Sequence, residues 1–564
     1  MDIESKIREF ALENALKFNG KASQGAIIGK LMAFDSSIKA KMKEVAPQIG
    51  KILSEVNKLS LEEQKKQLLD LNPEFEKEQA IKKAANKEAR SDLPELKNAE
   101  IGKVVTRVAP EPSKYPHLGH AVSFLLNYMY STKYEGKCIL RFDDTNPELS
   151  TYEYVNAIKE GVVDYLGIKF EKEVFASDEM NYMVSCAEKL IDKGLAYTTN
   201  QPSSEMSVYR REMKDHPDRE KSYEDILSEW EEMKKGNSEY DNFVLRLKIN
   251  MQHKNAVMRD PVIFRMVLAK HFREEEIGQF KAWPMYDFES ALLEGKLEIT
   301  HVLRSNEFES RIELQDYIRN LFNLPNPTIK QYARTSVENA STKGREIREL
   351  IESGEYIGWD DPRLITLKAL QRRGIVKEAY YELAKVIGMS KTNSVLDFSV
   401  ISSINRRLLD ESAKRFFCII NPIHIEIENS NDNTIELDMH PHLDLGKRTF
   451  TVNNKYILEK GDIESIADDE EYRLIDNINI KNNEQTSTSH KEFKGKKIIH
   501  FLPDDEKQLV NIEILMPDCT TKKAMAEKNI ESLQPGEVIQ FQRFGFCRLD
   551  SIDKGMYKFW YTHD

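Results

Sequence analysis

The chain has 564 residues, of which 40% are hydrophobic and 31% are charged. This balance is typical of a globular protein with roughly three to five domains. No apolar run reaches the ~20 residues that a membrane-spanning helix needs, which excludes an ordinary helical membrane protein. The net charge of −12 argues against a nucleic-acid-binding protein, although a local basic surface can still bind one.

The N-terminus and the cysteines predict a cytoplasmic protein. Residues 1–6 lack the basic start and apolar core of a signal peptide. The five cysteines are odd in number and far apart, and none forms a Cys-x-x-Cys pair, so we expect free thiols in a reducing compartment. His440 and His442 have no third metal ligand nearby, so we expect no structural zinc.

The first 100 residues predict a charged helical extension. Ile7, Ala11 and Ala15 recur near helical spacing, and a second apolar helical stretch runs over residues 52–69. Residues 77–97 are dense in charge and poor in apolar side chains, which is typical of a solvated helix or a linker.

A parallel sheet is predicted next. The β-branched run 103–108 indicates a strand, a proline-rich loop follows, and Val122, Leu125, Leu126 and Met129 form the inward face of a helix. Residues 138–142 indicate a second strand. A strand, a helix and a strand in this order form a βαβ unit.

The residue pattern changes along the remaining segments. Residues 200 to about 240 are polar and charged and look inserted into the α/β domain, and helical signals return over 362–411. After Phe416, short alternating strands at close spacing predict β-barrels. The polar segment 482–497 is predicted to be a mobile loop.

The residues most suited to chemistry lie between the first strand and the helix, where an open α/β sheet binds ligands. A helix N-terminus offers free N–H groups to phosphate, and His117 and His120, three residues apart, can face one anionic group. Gly119 lets a flat base lie against the backbone, where a Cβ would obstruct it. The sequence therefore predicts a nucleotide site here.

The segment Pro116-His117-Leu118-Gly119-His120 resembles the His-x-Gly-His signature of class I aminoacyl-tRNA synthetases. Other segments resemble the glutamyl/glutaminyl subclass and follow in the expected order, at residues 107–112, 141–147, 283–288, 293–295, 299–304, 358–363 and 538–545. The N-terminal segments 11–15 and 25–30 are similar to the helical extension of archaeal-type glutamyl enzymes. The resemblance covers nearly the whole chain.

This resemblance implies a multidomain fold. We expect an N-terminal helical extension over 1–100 and a Rossmann-like α/β catalytic domain over 101–355, with an inserted acceptor-stem-binding subdomain at about 200–275. A helical connector over 356–412 and all-β anticodon-binding barrels over 413–564 would follow.

The resemblance also assigns roles to residues. Glu111, Pro112, Ser113, His117, Gly119 and His120 would surround ATP. Arg107 and Tyr286 would meet the amino acid, and Asp143 would pair with its α-ammonium group. Arg304 stands where glutaminyl enzymes have a small neutral residue, and its guanidinium can fork onto a γ-carboxylate.

The second class I signature, a lysine-rich loop that clamps pyrophosphate, departs from the family pattern at residues 340–346. Lys343 or Arg345 would supply the cation there. Basic residues at Lys368, Arg372 and Arg373, and at Lys491, Lys494, Lys496 and Lys497, are candidate phosphate contacts for tRNA.

The resemblance implies a glutamate–tRNA ligase that uses ATP with Mg²⁺ and charges tRNA(Glu), with tRNA(Gln) left open as a second substrate. Three alternatives remain open at this point. They are a glutaminyl enzyme, which Arg304 disfavours, a catalytically weak tRNA-binding paralogue, and a glutamyl-transferring tRNA-modification enzyme, which would not need the C-terminal barrels.

Overall fold

The computed structural model describes residues 3–17, 20–34, 42–72, 75, 93–333, 335–337, 343–388, 394–430 and 433–564. The chain divides into two compact units, Met1–Asp92 and Leu93–Asp564. In the described part of the chain, no helix is both long enough and apolar enough to cross a membrane.

The described residues of the first unit form helices, as predicted: Ile3–Lys17, Gln24–Phe34, Met42–Val56 and Leu61–Leu71. The stretch 52–69 is not one helix, because Ser60 caps a new one. Its side chain accepts from the backbone N–H of Glu63, whose carboxylate accepts in return. The charged segment 77–97 lies largely outside the described residues.

The second unit begins with the predicted βαβ unit. Strand Val105–Val108 pairs in parallel with Lys137–Phe142, which pairs in parallel with Lys172–Phe175. Helix Leu118–Lys133 connects the first two and buries Val122, Leu125 and Leu126 against the sheet. Helix Tyr152–Lys159, a π-helical turn Glu160–Tyr165 and helix Met180–Asp192 follow.

A second parallel pair, His301–Ser305 and Thr328–Tyr332, lies on the other side of the first strand. The backbone N–H of Thr300 donates to the carbonyl of Val105 at 3.0 Å, which joins the two pairs. The chain thus leaves strand Val105–Val108 towards one side and returns on the other. Ligands bind at such a switch point, at the carboxyl ends of the strands. Helices Tyr286–Lys296 and Ile312–Leu321 flank this second pair.

Between these halves lies an antiparallel sheet of the strands Ala196–Thr199, Val244–Leu247, Val262–Met266 and Ala282–Pro284. Its core contains the fully buried rings of Trp230, Phe264 and Trp283. The polar segment after residue 200 forms helices Ser203–Glu212 and Tyr223–Lys235, and a short helix Glu274–Ile277 follows.

Helices return after the second parallel pair, as predicted. They are Gly344–Glu352, Leu367–Arg372, Lys377–Ile387 and Phe398–Asp410. Strands Thr335–Val337 and Ser394–Leu396 pair in parallel among them.

The C-terminal part is mostly β, as predicted. Its largest sheet has seven strands in the order Arg415–Phe416, Val538–Phe541, Gly545–Asp553, Met556–His563, Leu509–Leu515, Thr521–Glu527 and Cys418–Ile419. Smaller sheets contain Pro422–Glu426, Lys455–Glu459 and Leu502–Pro503; Asn433–Asp438 and Lys447–Val452; and Glu484–Ser487, Asn479–Lys481, Tyr472–Leu474 and Lys497–Ile499. A short helix, Lys460–Glu464, follows one of these strands.

The loop predicted over 482–497 is wrong at its two ends, where strands Glu484–Ser487 and Lys497–Ile499 belong to a four-stranded sheet, whereas residues 488–496 between them form no strand. Strand Glu484–Ser487 pairs antiparallel with Asn479–Lys481. The turn between them places Asn482 and Asn483 at φ +52° and +62°, the left-handed backbone that a tight hairpin requires and asparagine tolerates. Residues 484–487 are polar because they form a partly exposed edge strand.

The expectation that Arg373 contacts tRNA is wrong, because its side chain is buried. For Arg372, whose side chain is 36% exposed, the contact stays a prediction. Arg372 forms ion pairs with Asp360 and Asp550, and Arg373 is buried and donates to the carbonyls of Pro362 and Thr562. Both arginines therefore fasten helix Leu367–Arg372 to the C-terminal β-sheet.

Candidate active site

A cavity of about 450 Å³ lies at the carboxyl ends of strands Val105–Val108 and His301–Ser305, beside the N-terminus of helix Leu118–Lys133. Most of the residues that the sequence singled out line it: Arg107, Glu111, Ser113, His117, Gly119, His120, Tyr286 and Arg304. The stretch 107–120, Tyr286 and Arg304, which are distant in sequence, thus meet in one place.

The two histidines form a stacked pair at the helix N-terminus, with ring centroids 3.8 Å apart. Nδ1 of His117 accepts the backbone N–H of Gly119, and Nδ1 of His120 accepts the backbone N–H of His117. Both rings therefore carry a proton on Nε2 when neutral. Burial, helped by His117 and Lys114, lowers the pKa of His120 well below its usual value, so this ring is neutral at physiological pH.

Arg304 is a buried cation with unused donors. It is 5% exposed, and its Nη1 donates to Oε1 of Gln315 at 2.8 Å, while Nε and Nη2 have no hydrogen-bond partner. Leaving buried donors of a charged group unpaired is costly, so a ligand in the cavity that accepts from them would be stabilised. The two free positions on one guanidinium match a carboxylate.

Arg107 is held in place by the fully buried carboxylate of Glu294. Its Nε and Nη2 both donate to Oε1 of Glu294, at 3.1 and 2.9 Å, and Arg319 donates to Oε2 at 3.0 Å. Burial acts to raise the pKa of Glu294, but Arg107, Arg141, Arg304 and Arg319 together hold it below its usual value. The ion pairs fix the position of Arg107 on the cavity wall.

Tyr286 begins helix Tyr286–Lys296, and its ring lies 5.5 Å from that of Phe308, which also lines the cavity. Burial raises the pKa of Tyr286, although Arg107 and Arg304 oppose the shift, so the phenol stays protonated and can donate to a substrate oxygen.

Asp143 is buried just behind the cavity wall rather than on it. Its carboxylate pairs with Arg141 through two contacts of 2.6 and 3.0 Å, and its backbone N–H donates to the carbonyl of Pro110. Glu289 is fully buried nearby. Burial, then Asp143, raises the pKa of Glu289 well above its usual value.

The cavity wall does not include Pro112, Lys343 or Arg345. Pro112 is buried, and Lys343 and Arg345 are exposed and pair with Glu346 and Glu349 of their own helix. Residues 338–342 of the predicted clamp lie outside the described residues. Gly344, at the first turn of the helix, packs against Lys114 of the cavity so closely that an added Cβ would lie 3.0 Å from the Cβ of Lys114.

Family comparisons agree with the geometry over almost the whole chain. The catalytic domain of class I tRNA synthetases (E and Q) matches residues 103–411, and two anticodon-binding domains of the same enzymes match residues 413–498 and 496–550. The chain belongs to the class I tRNA synthetases for glutamate and glutamine.

Curated relatives of this synthetase are similar over their full length. It is 35% identical to a glutamate–tRNA ligase of Pyrococcus furiosus and 35% identical to one of Methanocaldococcus jannaschii, and both alignments cover 100% of each chain. It is 34% identical to a glutamate–tRNA ligase of Nitrosopumilus maritimus, with 99% of each chain covered. The predicted family is confirmed.

Sequence reasoning missed several residues that build the site of this synthetase. Asn127 donates to the carbonyl of Leu303 at 3.1 Å, which ties the helix to the strand that carries Arg304. Ile365 lines the cavity because the backbone around Pro116 and Leu118 bridges to residues 365–367. Asn127 breaks the apolar inward face of its helix, and a polar residue at such a position is the one signal that could have pointed to it.

Proposed function

We propose that this chain is a glutamate–tRNA ligase that forms glutamyl-adenylate from L-glutamate and ATP and then transfers the glutamyl group to the 3′-terminal adenosine of tRNA(Glu). The observation that carries this proposal is Arg304, which is buried in the cavity with Nε and Nη2 unpaired. Glutamate supplies the carboxylate that this guanidinium lacks, whereas the neutral amide of glutamine would leave the charge buried without a counter-charge.

The nucleotide would occupy the helix N-terminus. His120 and its stacked partner His117 each accept a backbone N–H on Nδ1, which places the proton of a neutral ring on Nε2, and both rings line the cavity. Donors fixed before the reaction stabilise the negative charge that develops at the α-phosphate. Mg²⁺ would enter as the counter-ion of the ATP triphosphate. Glu111 and Ser113 of the same wall are the proposed further ATP contacts.

The amino acid would lie between the two strand ends, with Arg304 at its side chain, and with Arg107 and Tyr286 near its α-carboxylate and ammonium. Because Arg107 is fixed by Glu294 and Arg304 by Gln315, the substrate would meet a rigid frame that orients its carboxylate towards the α-phosphate. Asp143 would reach the ammonium only by sharing its carboxylate with Arg141.

The two anticodon-binding domains support tRNA as the partner. We propose tRNA(Glu) as the acceptor, with charging of tRNA(Gln) as a second activity to be measured. The five cysteines are free, which supports a reducing location such as the cytoplasm, where translation takes place.

Substitution of Arg304 tests the proposed substrate. Arg304→Cys should lower kcat/KM for glutamate by a factor that corresponds to about 2–5 kcal/mol, typical of breaking a buried charge pair. The effect on glutamine should be smaller or reversed. Arg304→Lys should also lose activity, because an ammonium cannot reproduce the two-pronged geometry.

The measurement is steady-state aminoacylation with each amino acid and purified tRNA(Glu) and tRNA(Gln). Arg406→Cys, at an exposed arginine remote from the cavity wall, is the matched control and should behave as the wild type. If Arg304→Cys retains the wild-type preference for glutamate, the assignment of the amino acid fails.

A further inference from the structure

The guanidinium of Arg304 is held by a neutral side chain from a neighbouring helix. Gln315, in helix Ile312–Leu321, is fully buried, and its Oε1 accepts from Nη1 of Arg304 at 2.8 Å. Its Nε2 donates to Oδ1 of Asp287 at 3.0 Å, and the other oxygen of Asp287 forms an ion pair with Arg311. Arg304, Gln315, Asp287 and Arg311 therefore form one continuous chain of contacts.

The direction of the amide in this chain is fixed by its neighbours. Arg304 can only donate, and Asp287 when ionised can only accept, so the carbonyl of Gln315 must face the arginine and its NH₂ must face the aspartate. A flipped amide would set donor against donor at one end and acceptor against acceptor at the other. Gln315 thus orients Arg304 without contributing a charge.

The position of the negative charge of Asp287 in this chain of contacts suggests what Gln315 does. Asp287 is linked to Arg304 through Gln315, and it already has Arg311 as its counter-charge. Among the described residues, no carboxylate lies within ion-pair distance of Arg304. A carboxylate in place of the Gln315 amide would satisfy the same hydrogen bond and would also neutralise the cation. The amide leaves Arg304 without a directly paired carboxylate, so a ligand can supply one.

We propose that Gln315 is a positioning residue that sets amino-acid selectivity, because it holds Arg304 in place without supplying a directly paired carboxylate. This inference rests on the proposed function, in which Arg304 meets the γ-carboxylate of glutamate. It places part of the selectivity in a residue that does not line the cavity. The charge of the pocket, and not only the presence of an arginine, then decides between glutamate and glutamine.

A charge swap provides the test. The double variant Asp287→Asn with Gln315→Glu exchanges the amide and the carboxylate, so it conserves volume, net charge and the chain of hydrogen bonds while moving the negative charge next to Arg304. It should lower kcat/KM for glutamate at least tenfold. The same constant for glutamine should fall less or rise, so the ratio of the two constants should narrow at least tenfold.

Two single variants separate charge from packing. Asp287→Asn leaves Arg304 uncompensated and should keep the wild-type ratio. Gln315→Met removes the acceptor but adds no charge, so it should raise KM for glutamate more than it lowers kcat, and it should also keep the preference. Thermal unfolding and tRNA affinity of each variant report whether the fold is intact.

Each outcome decides between the proposals. If the wild type does not charge tRNA with glutamate, the proposed function fails, whatever the variants do. If the wild type does so and the charge swap retains the wild-type ratio, the role of Gln315 is refuted. It is also refuted if Gln315→Met narrows the ratio as much as the swap, because loss of orientation would then account for the effect.

Discussion

Replacement of Glu294 by glutamine tests the framework beneath the cavity. The carboxylate is fully buried and accepts from Arg107 on one oxygen and from Arg319 on the other, at 2.9 and 3.0 Å. Glutamine has the same shape but no charge, and its NH₂ must face one of two guanidiniums that can only donate. Breaking a buried charge pair in this way costs about 3–5 kcal/mol, and we expect that loss in the free energy of unfolding.

Two consequences follow for the assays. Glu294→Gln should raise KM for glutamate, because Arg107 is no longer held against the cavity wall. The stability difference should also depend on pH. The pKa of Glu294 is lowered in the folded protein, so its contribution is present above the unfolded pKa of about 4.3 and is lost as pH falls through the folded pKa. The stabilities of variant and wild type should therefore converge in acid.

Denaturant unfolding of the full chain, followed at neutral and acidic pH, measures this difference. Glu313→Gln, a half-exposed glutamate on the adjacent helix, is the matched control and should lie within about 0.5 kcal/mol of the wild type. The reasoning is refuted if Glu294→Gln lowers the free energy of unfolding by less than about 1 kcal/mol, which is below the loss expected for a broken buried ion pair. It is also refuted if the stability difference between variant and wild type does not shrink as pH falls.

Variants at two other sites should have contrasting effects on stability. Burial, then Asp143, raises the pKa of Glu289. Ionising this acid therefore costs folding stability as pH rises above the unfolded pKa. The stability of Glu289→Gln should match that of the wild type in acid and equal or exceed it at neutral pH. A stability loss at neutral pH would show that Glu289 is ionised. Lys343 and Arg345 are exposed and form ion pairs with the exposed Glu346 and Glu349, so Lys343→Ala and Arg345→Ala should leave thermal stability and tRNA affinity unchanged. If either residue clamps pyrophosphate, its variant should slow ATP–pyrophosphate exchange, and two variants at wild-type rates would remove both from the site.

The sequence could predict where the site lies because the relevant signals are local. A strand, a proline-rich loop and a helix start place His117, Gly119 and His120 at a sheet edge, whatever the rest of the chain does. Arg304 ends a strand, and parallel strands present their carboxyl ends at the same edge. Motif and topology therefore agree on one cavity.

Residues that hold the site in place could not be predicted, because their partners are distant in sequence. Arg107 and Glu294 are 187 positions apart, and nothing in either local segment indicates the pair. Gln315 reads as an ordinary polar position of an amphipathic helix until the fold places Arg304 beside it. The same limit explains the error at Arg373, whose partner Thr562 lies 189 positions away.

The charges around the cavity explain why an acidic substrate fits. Four guanidiniums, those of Arg107, Arg141, Arg304 and Arg319, lie on or directly behind its amino-acid end. Ion pairs join Arg107 and Arg319 to Glu294, Arg141 to Asp143 and Arg319 to Asp316. Within the part of the chain that the structure describes, no carboxylate lies within ion-pair distance of Arg304. The γ-carboxylate of glutamate can pair with Arg304, whereas the neutral amide of glutamine leaves this desolvated cation without a direct counter-charge. Because the two amino acids have nearly the same shape, this unmatched charge, localised at Arg304 by Gln315, is the property of the wall that can tell them apart.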